Sequence, residues 1–275
     1  DDPGFYHLSK GGEHARPGLD LPFLEHPHAA PGHPAAGTVH LIVWRVESEA
    51  ALEFWEQRLR EEGVVCARAA QAPRTLRFSD REGLDHELCV SSASDPALPA
   101  KHPEIPAQLA LIGFEGVRAY SADPAHSESV LERLMGAVRR PDGAWELRGA
   151  SRGGWIAFDP PPTERGRQGA GSVHHIAWAT GDGEQPRWLE RLNAAGVANS
   201  GVIDRHYFHS VYFREPGQVL YELATDEPGF TVDGPIDQLG RELILPPWLE
   251  PRRAELLRRL TPLPDPRAGW GAAPR

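Results

Sequence analysis

Two histidines stand side by side in SVHHIAWAT, residues 172 to 180, inside an otherwise apolar, β-branched run. Imidazole titrates near neutrality and its ring nitrogens ligate metals, which makes His174 and His175 well suited to move a proton or hold an ion. A carboxylate, Glu222, sits in a second apolar run, YFREPGQVLYELAT (212 to 225). Taken singly, a histidine in an apolar strand is more often a satisfied core residue than a ligand, and Glu222 alone reads as a half-buried strand carboxylate. Successive side chains of a strand point to opposite faces, so only one histidine of the pair faces the interior.

The elements that must position these residues recur along the chain. TVHLIVW (38 to 44) aligns in register with SVHHIAW (172 to 178), and each precedes a stretch with helical spacing: LEFWEQRLREEGVV (52 to 65) and PRWLERLNAAGVA (186 to 198), with a glycine after the last turn. Each then enters a turn and a strand carrying glutamate, RFSDREGLDHELCV (77 to 90) and YFREPGQVLYELAT. His40 to Glu87 spans 47 positions and His174 to Glu222 spans 48, a loop-sized difference that implies a common unit. The unit reads β, α, then two or three strands around the DREG and EPGQ turns. A fainter copy fits LALIGFEGVRAYS (109 to 121), a helix over SESVLERLMGAV (127 to 138), AWELRG (144 to 149) and GGWIAFDP (153 to 160). The opening YHLSKGG and LDLPFLEHP match the last strands of a fourth copy, and LILPPWLEPRRAELLRRL (243 to 260) reads as a terminal helix.

Composition narrows the function classes. The chain has 275 residues, 40% of them hydrophobic, enough to build real cores. No apolar run approaches the roughly 20 residues that span a bilayer. DDPGFYHL has neither a basic n-region nor an apolar h-region, so a cytoplasmic location without membrane attachment is expected. Cys66 and Cys89 lie in separate strand-like runs and read as buried free thiols. A formal charge of -10 argues against a phosphate-binding surface and hence against nucleic acid as a partner. The amphipathic FWEQRLREEG reads as a solvated helix face.

With the βαβββ repeat, SVHHIAWAT, the run IDRHYFHSVYFREPGQVLYELATDEPGF (203 to 230) and the LILPPWLEP tail in view, the chain resembles the ring-cleaving dioxygenases of the vicinal oxygen chelate (glyoxalase/bleomycin-resistance) superfamily. Within it, the similarity is to the hydroquinone and chlorohydroquinone dioxygenase branch. The resemblance implies an α+β fold of tandem βαβββ modules pairing into two open, barrel-like sheets. Its modules would cover residues 37–95, 105–160 and 170–230, with an N-terminally incomplete first module over 1–36 and a helical tail over 231–275.

The resemblance further implies a non-haem Fe(II) or Mn(II) site of two imidazoles and one carboxylate. It carries His175 and Glu222 over as metal ligands. His174 would stand beside the substrate as the first candidate for proton transfer. Arg205 and Tyr212 would be catalytic, the guanidinium orienting a phenolate and the tyrosyl hydroxyl bonding an oxygen intermediate. Arg205, Tyr207 and Ser210 would bind substrate. The bland alternative makes DRHYF a turn and Tyr212 a core aromatic; His206 and His209 are expected to be exposed. The second unit has Leu41 at the position of His175 while keeping Glu87, which marks it as structural, with His40 as a packing residue.

The implied substrate is a small aromatic diol, opened beside a hydroxyl-bearing carbon by O2 with both oxygen atoms incorporated; a homo-oligomer is compatible with this. The family's third ligand belongs to a strand preceding the family-like DDPGFYHL, and His7 does not correspond to it. An upstream segment, a truncated product and a lost metal site are the competing expectations. A metal-free small-molecule-binding protein of the same fold stays open beside the enzyme, as do a catechol dioxygenase, a glyoxalase-like isomerase and a thiol transferase.

Overall fold

The computed structural model describes residues 5–69, 72–265, 267, 268 and 270. Strands β1 (His7–Gly11) and β2 (Asp20–Leu24) form an antiparallel hairpin of their own. There follow β3 (Val39–Val46), α1 (Glu49–Glu61), β4 (Cys66–Ala69), β5 (Ala72–Ser79), β6 (Asp85–Val90), β7 (Gly113–Tyr120), β8 (Val138–Arg139), β9 (Trp145–Arg148) and β10 (Gly153–Asp159). These eight strands make one mixed sheet in the order β4-β5-β6-β3-β7-β10-β9-β8. The last sheet holds β11 (Ile176–Thr180), β12 (Asn199–Asp204), β13 (Phe208–Arg214) and β14 (Leu220–Pro228), with α2 (Gln185–Ala194) after β11 and the order β11-β14-β13-β12. Both large sheets are open and helices are few, as an α+β glyoxalase fold requires. A short α3 (Arg253–Arg259) lies in the tail.

Local chemistry explains the elements. Ser48 caps α1 by accepting from the Ala51 amide, Glu49 complements its first turn, and Arg58 and Arg60 complement its last. Gly63 and Gly196 follow the two long helices at φ of 75° and 69°, a left-handed conformation that glycine adopts without a Cβ clash. β3 is buried on both faces, and side-chain alternation sends Ile42, Trp44 and Val46 to the face that packs on Ala51 and Leu52 of α1, where Leu76 and Leu88 complete a core. A second core joins the two sheets: Trp145 and Ile156 pack with Leu192 of α2 and with Val211, Phe213, Tyr221 and Leu223.

The wholly buried Glu215 ties this junction. It accepts from Ser127 Oγ at 2.5 Å, from the Gly217 amide at 2.8 Å and from the Val219 amide at 2.9 Å. Cys66 and Cys89 are free thiols on β4 and β6, and burial pushes the Cys89 thiol up to about 12. No helix among the described residues is long and apolar enough to cross a membrane.

Three local expectations need correction. His174 and His175 precede the strand, which begins at Ile176. The predicted helix over 127–138 is a π-helical segment, Ser129–Leu134, after a tight turn at Pro124–Ser127. The tail helix is confined to Arg253–Arg259, because Pro246 and Pro247 lack amide donors and disfavour helix in the residues before them, while Pro251 sits in a single 3-10 turn, Glu250–Arg252, that leads into it.

Candidate metal and active site

Pairing across β13 and β14 sets Tyr212 directly opposite Glu222, while the parallel β11–β14 pair sets Ala177 beside Glu222. Alternation then places Ser210, Tyr212, Glu222 and Ala224 on one face and Val211, Phe213, Tyr221 and Leu223 in the core behind it. Glu222 is 2% exposed, yet its carboxylate is well partnered. Oε2 lies 2.6 Å from His175 Nε2. Oε1 accepts from Tyr212 Oη at 2.5 Å and from the buried Ser210 hydroxyl. Burial pushes the Glu222 carboxyl up, but the hydrogen bond and charge of His175, with the Ser210 and Tyr212 donors, outweigh it and hold the pKa below the ordinary value.

A chain of contacts extends from this pair. His175 Nδ1 meets His174 Nδ1 at 2.8 Å, and the two rings stand at 85° to each other. The His174 pKa is lowered, first by desolvation and then by His175. Arg205 donates Nε to Tyr212 Oη at 3.1 Å and lies over the Tyr212 ring. The Tyr212 hydroxyl is shifted upward by burial and by the Glu222 charge. His174, His175, Arg205, Ser210, Tyr212 and Glu222 thus form one connected group.

Tyr207 lies apart from that group. It packs on Phe230, and burial followed by the adjacent Asp233 carboxylate raises its pKa. His206 was expected to be exposed but is half-buried: its Nε2 bonds Asp233 at 2.7 Å and its ring meets Trp248 edge-on. His209 is exposed.

The eight-stranded sheet carries a second version of this arrangement with its chemistry removed. Glu87 pairs beside Val43 and opposite Arg77, the register positions of Ala177 and Tyr212. Glu87 Oε2 accepts from Arg77 Nε at 2.5 Å. Leu41, Val43 and Arg45 are buried where His175, Ala177 and Ala179 stand in the other sheet. Arg45 bonds Asp95, Glu115 and the Gly153 carbonyl, closing that face with an ion-pair network. His40 stacks on Tyr120 and bonds Asp159 at 2.9 Å, a packing residue.

Sequence reasoning did not single out Asp20. On β2 it accepts a hydrogen bond from Ser9 and interacts electrostatically with Glu222 and His175, bringing the β1–β2 hairpin to the site. Desolvation, reinforced by Glu222, pushes its carboxyl up to about 6 even though the residue as a whole is exposed by area. That contrast describes a carboxylate crowded at the mouth of the site without being sealed in it.

A family model described as the Glyoxalase/Bleomycin resistance protein/Dioxygenase superfamily matches residues 111–229. A Bacillus subtilis protein named "Putative ring-cleaving dioxygenase MhqA" is 35% identical over 282 aligned positions, covering 96% of this chain and 88% of the relative. The chain belongs to this superfamily. A Sphingobium indicum chlorohydroquinone/hydroquinone 1,2-dioxygenase is 27% identical, with 93% of this chain and 83% of the relative covered. A crystal structure of a Bacillus subtilis protein described as a "putative dioxygenase" superposes with a TM-score of 0.87 at 34% identity, covering 96% of this chain and 86% of that one.

Proposed function

We propose that this superfamily member is a ring-cleaving dioxygenase that acts on a hydroquinone-like aromatic diol with O2, using Fe(II) or Mn(II) held by His175 and Glu222. The observation that carries this reading is the convergence of His175 Nε2 and Glu222 Oε2 at 2.6 Å in a chain with ring-cleaving relatives. One imidazole and one carboxylate turned toward each other fit two corners of a divalent metal site. No group of three or more His, Cys, Asp and Glu side chains able to hold a metal occurs among the described residues, so these supply two ligands.

Bound there, the ion would hold diol and O2 at adjacent positions and pass electrons between them. The protein's own groups then have distinct tasks. With Nε2 of His175 serving as the ligand, its proton resides on Nδ1 and is donated to His174 Nδ1, which fixes both tautomers. Neutral His174, with Nδ1 occupied by His175, carries its own proton on Nε2 and presents that N–H on its outward face as a donor to a substrate or dioxygen-derived oxygen. Arg205 adds a fixed positive charge that favours the phenolate. Ala177, Ala179 and Ala224 leave space on the Glu222 face for an aromatic ring.

The deciding experiment loads the full-length protein anaerobically with Fe(II), adds hydroquinone and O2, and follows oxygen uptake with His175→Ala as control. Uptake that disappears in the variant supports the assignment. Equal uptake by both overturns it.

The two-ligand count favours one second reading: a metal-free protein that binds small aromatic molecules over the same face of the last sheet. Tight binding of hydroquinone without metal, together with no retained iron or manganese, would select it.

A further inference from the structure

We infer that Ser210 and Tyr212 are positioning residues that restrict Glu222 to a single metal-facing oxygen. The inference rests on the proposed ligand role of Glu222. A carboxylate oxygen presents two in-plane lone pairs. Both hydroxyls converge on Oε1, Tyr212 from directly across the sheet and Ser210 from the neighbouring rung. Oε2 is left as the oxygen turned toward His175. With 2% of Glu222 exposed, rotating the carboxylate to present both oxygens would break two hydrogen bonds in a place where water does not replace them.

The same geometry fixes the task of Tyr212. Its hydroxyl has one proton, which goes to Glu222, while it accepts from Arg205 Nε. It therefore has no second proton for a substrate or oxygen atom, and Arg205 holds it in that state. Ser210 is wholly buried and reaches the reaction through Glu222 rather than by touching substrate. The benefit is an ion that keeps one more open position than two-oxygen ligation would leave. The added position is open to a substrate oxygen, O2 or water.

Mn(II) binding to the metal-free full-length protein, followed by calorimetry and by the metal-minus-apo infrared difference spectrum, tests this. The two carboxylate stretches are widely split for one-oxygen ligation and narrowly split for two. Wild type is expected to show the wide splitting. Ser210→Ala and Tyr212→Phe should each weaken Mn(II) binding about 10–100-fold, the double variant should narrow the splitting, and Ser210→Thr should restore both. A narrow splitting in wild type, or variants that leave both affinity and splitting unchanged, overturns the inference. Should Ser210→Ala fail to fold, Tyr212→Phe, which keeps the ring, carries the test. Wild type that binds no Mn(II) and is unaffected by Glu222→Ala would instead overturn the ligand assignment, and this inference with it.

Discussion

Glu87 and Glu222 occupy the same register position in two different sheets, but one faces an arginine and the other a tyrosine and a histidine. Glu87 lies beside Val43 and across from Arg77; Glu222 lies beside Ala177 and across from Tyr212. The arginine neutralises its glutamate permanently. The tyrosine leaves the charge in place and fixes only its direction.

Glu222→Gln should therefore lose bound metal and oxygen uptake down to background, while Glu87→Gln keeps both within about twofold because its pair with Arg77 is partly exposed and weak. Elemental analysis of the purified proteins and an oxygen electrode measure this. Metal lost at Glu87 would move the proposed site to the other sheet.

His175 and His174 should separate in the same assays. His175→Ala removes a proposed ligand and with it the metal. His174→Ala removes only the partner of Nδ1, so metal should remain with affinity lowered about 10–100-fold. Equal losses in the two variants would make His174 a ligand in its own right.

Asp20 predicts a pH dependence in the metal-free protein. Its folded pKa, about 6, exceeds the ordinary 3.8, so the folded state holds the proton more tightly than the unfolded chain. That contribution to stability is complete below about pH 3.8 and is lost as pH rises through about 6. Asp20→Asn should melt higher than wild type at about pH 7 to 8, and the gap should close near pH 4. A gap independent of pH would show that burial at the hairpin does not raise the Asp20 carboxyl.

The junction between the sheets offers a stability test away from the site. Glu215→Ala leaves the Ser127 hydroxyl and the Gly217 and Val219 amides without their acceptor in a buried place. Orphaned buried donors cost about 1–3 kcal/mol each, so a loss of about 3 kcal/mol or more is expected in denaturant unfolding. A change below about 0.5 kcal/mol would mean that water enters the junction freely.

Much of this organisation was legible in the chain because apolar alternation and repetition reinforce one another. Trp44 and Trp178 pair with Leu88 and Leu223, equivalent positions in both sheets. The EPGQ turn even encodes the pairing of Tyr212 with Glu222, since folding the chain about it brings Arg214 to Leu220 and the next same-face pair to 212 and 222. That count could have found Ser210 beneath Glu222, because 210 lies on the same face two residues earlier. Other features depend on tertiary context. The histidine pair looks like strand by composition, yet the ladder begins only at Ile176, and in the unpaired backbone before it the two rings meet at 2.8 Å. Residues 129–134 have helical spacing, but π-helical turns seat Val130, Leu131 and Leu134 in the inter-sheet core. Nothing local marks Asp20, whose role depends on where the hairpin comes to rest.

The parallel pairing of β11 with β14 also sets when the site can come into being. His175 and Glu222 are 47 positions apart, and their strands can align only after α2, β12 and β13 have been laid between them. Contacts so distant in sequence form late, because the chain must surrender the freedom of the whole intervening loop before they reward it. A nascent chain or partly folded intermediate therefore offers no paired donors to a passing ion. Metal capture would then act as a checkpoint on completion of the last sheet, and retained metal as a report that it has closed.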